Sequence, residues 1–212
     1  MFPNIYTLVG VPVIGELGDS TIVERFEVCP VCDRRKRPFV KTMDYCFDRW
    51  AGEDLVTSMG CYAVSERLRN ALEHADISGL DFKEMIVSQG DYFEITDDTY
   101  AKNLPKFYRL IINGAASGPE LWWTSWTCTN CQIKHWDITK VGIKAQNAVI
   151  TDEVGTPIEV FKDSWKGHDV FHLEDPGLPV VTQKFVDLIK QQGSIGVVFH
   201  PAKWVERLAV EK

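Results

Sequence analysis

The sequence predicts an α+β fold, mainly antiparallel β with a few helices, on three observations. Two cysteine pairs, Cys29-Pro-Val-Cys32 and Cys128-Thr-Asn-Cys131, each sit between strand-like arms. A strand–helix–turn–strand pattern occurs twice. Most of the chain between these features is rich in β-branched and aromatic residues and reads as strand. The 212 residues are 45% apolar and 11% aromatic, enough to core a single α+β domain over 1–212.

In chain order, 5–15 reads as a short strand broken by Gly and Pro. Thr21–Val28 alternates and should be a strand feeding directly into the first cysteine pair. Asp33-Arg34-Arg35-Lys36-Arg37 is the dense basic cluster of the chain, read as a solvated loop or a phosphate contact. Pro38–Met43 is the returning strand. Ala63–Leu72 is a strand end and a helix start. Ser65 is its N-cap, because the hydroxyl can accept a first-turn N–H. Glu66 suits the helix dipole, and Leu68, Ala71, Leu72 and Ala75 form the apolar stripe. The helix should end near Asp76, and Ile77–Phe82 should turn into a strand.

The same pattern returns 117 residues later. Val180–Phe185 matches Ala63–Leu68, Leu188 and Ile189 match Ala71 and Leu72, Gly196 matches Gly79, and Phe199 matches Phe82. Thr182 takes the N-cap place of Ser65. One shared offset for cap, stripe, glycine and aromatic points to a duplicated unit at 63–82 and 180–199. Strands are expected over 85–96, 107–112 and 120–127, with a hairpin return over 132–138. Further strands are expected at 144–150 and 157–161, Asp169–Leu173 precedes the second unit, and 114–119 should be a loop.

The cysteine spacing carries chemistry. A CxxC turn places two thiolates on one side of a tetrahedral Zn²⁺ about 2.3 Å away, and two turns close the site with no position left for substrate. The expected site is therefore Cys29, Cys32, Cys128 and Cys131 around a structural Zn²⁺. It would sit in a split, zinc-ribbon-like portion at about 22–45 and 120–138. Metal-free thiols and a redox pair are the competing readings. Cys46, Cys61 and His135 are possible substitute ligands.

The net charge of −7 and pI near 5.3 argue against a general nucleic-acid binder. The start of the chain lacks signal-peptide character, no apolar run reaches membrane-spanning length, and the cysteine usage fits a reducing cytoplasm. Phosphate loops, dinucleotide fingerprints and nucleophile elbows are absent from the sequence. His172-Leu173-Glu174 has the His-x-Glu of zinc deaminases, but it follows both cysteine pairs where that motif should precede one. Partner-binding candidates are Asp91, Glu94, Asp97 and Asp98, from an acidic run. Trp122 and Trp126, which would share one face of a strand, join them. A solvated acidic face and ordinary core packing of the tryptophans are the plainer readings of the same residues.

Val64-Ser65-Glu66-Arg67-Leu68, followed by Ile77-Ser78-Gly79-Leu80-Asp81-Phe82, resembles the core of a bacterial family of immunity proteins from polymorphic toxin systems. Asp169-Val170-Phe171, Val181-Thr182 and Gly196-Val197-Val198-Phe199 resemble that family's C-terminal half. The cysteine pairs resemble the related double-CxxCG motif proteins, with Asp33 and Gln132 where those have glycine. The resemblance implies a cytoplasmic, non-catalytic inhibitor that binds a cognate toxin, a device of bacterial competition. The alternative is a zinc-ribbon nucleic-acid-binding or regulatory module that uses Arg34, Arg35, Lys36 and Arg37.

Overall fold

Ser65 shows how sequence becomes local structure here. Its extended backbone ends a strand, and its Oγ accepts the N–H of Leu68 at 3.2 Å to start a helix. The computed structural model describes residues 1–24, 27–33, 39–95, 104–119, 124–137, 158–174 and 177–207. The first half contains β1 (Ile5–Gly10), β2 (Gly15–Leu17), β3 (Ile22–Glu24), β4 (Phe39–Thr42), β5 (Asp44–Trp50), β6 (Leu55–Ser58) and β7 (Cys61–Ser65). Then come α1 (Glu66–His74), β8 (Leu80–Glu84) and β9 (Ile86–Ile95). The second half contains β10 (Phe107–Ile112), β11 (Gly114–Ala116), β12 (Thr124–Thr127), β13 (Lys134–Asp137), β14 (Ile158–Phe161), β15 (Val170–Leu173) and β16 (Pro179–Thr182). It closes with α2 (Gln183–Gln191) and β17 (Val198–Val205).

The strands form a six-stranded sheet, β11-β15-β16-β1-β17-β14, and a four-stranded sheet, β6-β7-β10-β8. A three-stranded sheet, β2-β5-β9, and the ladders β3-β4 and β12-β13 complete the set among the described residues. Most pairs are antiparallel; β11 on β15, β14 on β17 and β5 on β9 are parallel. The α+β class is therefore as expected from the sequence.

The two strand–helix–strand units match in register. Ser65 ends β7 opposite Phe107, and Thr182 ends β16 opposite Ile5. Phe82 stands opposite Leu110, and Phe199 opposite Leu8. Gly79 and Gly196 both hold positive φ, 85° and 75°. The apolar stripes of the helices, Leu68 and Leu72 on α1 and Phe185, Val186 and Ile189 on α2, are buried in one shared core with Leu8, Val64 and Val181. A second core surrounds Tyr45, Phe47 and Phe107, and a third surrounds Ile5, Phe171 and Val180.

Three expectations are corrected. The strand over Thr21–Val28 does not feed directly into the cysteines: β3 covers Ile22–Glu24, and residues 27 and 28 are not strand. Part of the loop over 114–119 is β11. Gly114 lies so close to β15 that a Cβ would stand 2.4 Å from the Val170 carbonyl oxygen, an approach only glycine permits. Thr182 occupies the N-cap position without capping; its Oγ1 donates to Asp169 Oδ1 at 2.9 Å instead. The strand expected over 144–150 lies outside the described residues. No helix among those described is long and apolar enough to cross a membrane.

Candidate metal centre

Each cysteine pair is a tight turn closed by its own backbone. The N–H of Asp33 donates to the Cys29 carbonyl at 2.9 Å, and that of Gln132 donates to the Cys128 carbonyl at 2.9 Å. Both turns need a left-handed residue after the second cysteine, and Asp33 (φ 56°) and Gln132 (φ 59°) supply it. This is the place where the double-CxxCG pattern has glycine, the residue that adopts such φ without steric cost. The second turn is also fixed by the β12–β13 hairpin, in which Thr127 pairs with Lys134 and the Cys128 N–H donates to Ile133 at 2.9 Å.

The folded chain brings the two turns together. Cys29 Sγ lies 3.9 Å from Cys128 Sγ, and Cys32 Sγ lies 3.6 Å from Cys131 Sγ. The four sulfurs all lie within 4.8 Å of one another. Four thiolates about 2.3 Å from a tetrahedral Zn²⁺ would stand about 3.8 Å apart, so the residues present fit a closed four-sulfur site. Cys29 and Cys128 are buried, while Cys32 and Cys131 are half-buried.

Hydrogen bonds favour the thiolate form at two of the four sulfurs. The Asn130 side-chain amide donates to Cys29 Sγ at 3.4 Å. With the Val31 N–H it draws the Cys29 thiol from its ordinary value near 9 to about 6, against the opposing effect of burial. Cys128 is lowered too, chiefly by the Cys131 N–H. Burial moves Cys131 the other way. Asn130 belongs to one turn and serves the sulfur of the other, a role visible only once the turns meet.

Among the described residues the cluster consists of these four cysteines. Cys46 lies on β5 opposite Ser88, and Cys61 lies on β7, its thiol raised by burial. His135 is a β13 residue opposite Trp126 in the ladder. Of the partner candidates, Asp91 is exposed on β9, and Glu94 pairs through its backbone with Arg49. Trp126 is 53% exposed on β12, two residues before Cys128. β9 and β12 belong to different sheets. Asp97, Asp98, Trp122 and the cluster Arg34–Arg37 lie outside the described residues.

The arrangement can hold one thiophilic divalent cation and offers it no further ligand position. No protein-family model matches the chain, and no curated protein matches it either.

Proposed function

We propose that this chain is an immunity protein, binding a cognate bacterial toxin in the cytoplasm and neutralising it by direct contact. One structural Zn²⁺, held by Cys29, Cys32, Cys128 and Cys131, braces the molecule. The observation that carries the reading is where the residues of the resemblance stand. Val64–Leu68 and Val181–Thr182 form the strand-to-helix corners of two matching units, and Phe82 and Phe199 close the same register in both. The residues that resemble the immunity family are thus the framework of this fold. Zinc follows from donor chemistry, since four thiolates at tetrahedral spacing suit that ion and leave no site for substrate.

The contact surface in this reading combines exposed Asp91 and its acidic neighbours with exposed Trp126. Charge steers association and selects the partner, and tryptophan anchors interfaces. The test is affinity capture of the zinc-loaded chain from its native host at moderate salt, with mass spectrometry of what stays bound. A single stoichiometric protein is expected, and co-expression of the chain should abolish that protein's toxicity. Recovery of nucleic acid alone, or a bound protein whose toxicity persists, overturns the reading.

A further inference from the structure

The four-cysteine centre joins two copies of one module. The element order of the first half, β1, the β3–CxxC–β4 hairpin, β5–β6–β7–α1 and β8–β9, returns in the second as β10, the β12–CxxC–β13 hairpin, β14–β15–β16–α2 and the long β17, which takes the place of both β8 and β9. The pairings return with it. Hairpin β6–β7 corresponds to β15–β16, and the parallel strand β5 on β9 corresponds to β14 on β17. Where β11 pairs with β15, the matching Thr57 N–H donates to the Pro12 carbonyl at 2.9 Å.

The copies exchange their first strands. β1, from the first copy, lies between β16 and β17 of the second, and β10, from the second, lies between β7 and β8 of the first. The exchange is matched atom by atom. The Gln183 N–H donates to Asn4 O at 2.9 Å, and the Glu66 N–H donates to Lys106 O at 2.8 Å. Tyr6 Oη donates to Gln183 Oε1, and Tyr108 Oη donates to Glu66 Oε1 at 3.3 Å.

Each copy also grips the turn after the other copy's helix. Buried Asp54 holds Ser65 and Arg67 of its own copy and accepts Ser194 Oγ from the other at 3.4 Å, while Arg67 donates to Gln192 O at 2.9 Å. Asp169 holds Thr182 and Lys184 and accepts Ser78 N and Oγ at 3.1 and 3.0 Å, while Lys184 donates to Asp76 O at 2.7 Å. At the cysteines, each sulfur meets its own counterpart, Cys29 with Cys128 and Cys32 with Cys131. Like meeting like, and reciprocal pairs elsewhere, are the marks of an isologous two-fold contact.

We infer that the metal is a clasp between two strand-exchanged copies, each supplying half of the site, and that it secures the cysteine turns while the exchanged strands and aspartate grips hold the helical body without it. This rests on the reading that the thiolates hold a metal, and it needs no toxin to be tested. The experiment is hydrogen exchange on the reduced, zinc-loaded full chain before and after chelation, with metal content measured alongside. One zinc per chain is expected. Chelation should lower protection of the amides around 29–33 and 128–133 by about tenfold or more, leaving α1, α2 and the β1 and β10 ladders within about twofold. Cys29→Ser and Cys128→Ser should each weaken zinc binding by about tenfold or more, because each half supplies two of the four thiolates. No zinc in the reduced chain overturns the clasp together with the metal reading. One zinc, with the helices losing protection in step with the turns, overturns the clasp alone, and so does a serine variant in either half that keeps the full zinc affinity.

Discussion

Gln132 holds a left-handed backbone directly after the second cysteine pair. A long side chain there carries a steric cost that glycine avoids, of order 1 kcal/mol, offset in part by the greater freedom of an unfolded glycine. Gln132→Gly should therefore raise stability by about 0.5–1 kcal/mol, read as a shift in the denaturation midpoint. Asp33→Gly should yield less, since aspartate tolerates this conformation better than glutamine. At the sulfurs, Asn130 is the largest influence on Cys29. In the reduced, metal-free chain the Cys29 thiolate should titrate near pH 6, followed by its ultraviolet absorbance. A thiol whose folded value lies below its unfolded one stabilises fully above the unfolded value, near pH 9, and loses that contribution as pH falls through about 6. Asn130→Ala should move the titration upward and weaken metal binding by about tenfold, measured by chelator competition. An unchanged titration would show that the amide does not act on the sulfur.

The strand-to-helix corner is the element that the chain uses twice, with different wiring. Ser65 both caps α1 and donates to Asp54 at 2.5 Å, whereas Thr182 spends its hydroxyl on Asp169. Ser65→Ala should thus cost about 1–2 kcal/mol and Thr182→Val about 1 kcal/mol, compared by urea denaturation. Equal costs would mean that the cap bond adds nothing. Asp54 is the more demanding position. It is 3% exposed, and its carboxylate receives Ser65, Arg67 and Ser194. Asp54→Ala leaves those donors unpaired, but Arg67 is half exposed and recovers water. The expected loss is about 2–3 kcal/mol rather than the larger penalty of a fully buried pair.

At the scale of the whole molecule, the formal charge of −7 bears on the toxin-binding proposal. Association with a basic partner should slow by about tenfold between low and high salt while dissociation changes little, measured by stopped-flow mixing. A salt-independent rate would remove steering from the account. Much of this molecule is legible residue by residue. Capping chemistry, helical stripes and period-two alternation are local, so the units at 63–82 and 180–199, the strand at 107–112 and both cysteine turns follow from neighbours in sequence. β11 escaped because Gly114 is extended through its contact with β15, far along the chain, and glycine carries no propensity signal for it. Thr182 escaped because its hydroxyl chose between a local N–H and Asp169, and only the folded chain sets that distance. The sequence by itself determined the fold class, the duplicated corner and the four sulfur donors, because each depends on residue type at short spacing. Only the tertiary structure decided that the two copies exchange their first strands, that Asp54 and Asp169 each grip the opposite helix end, and that Cys29 meets Cys128 and Cys32 meets Cys131. Those arrangements depend on which of several equivalent edges a strand pairs with, a choice made by burial and hydrogen bonding over roughly a hundred residues rather than by local propensity.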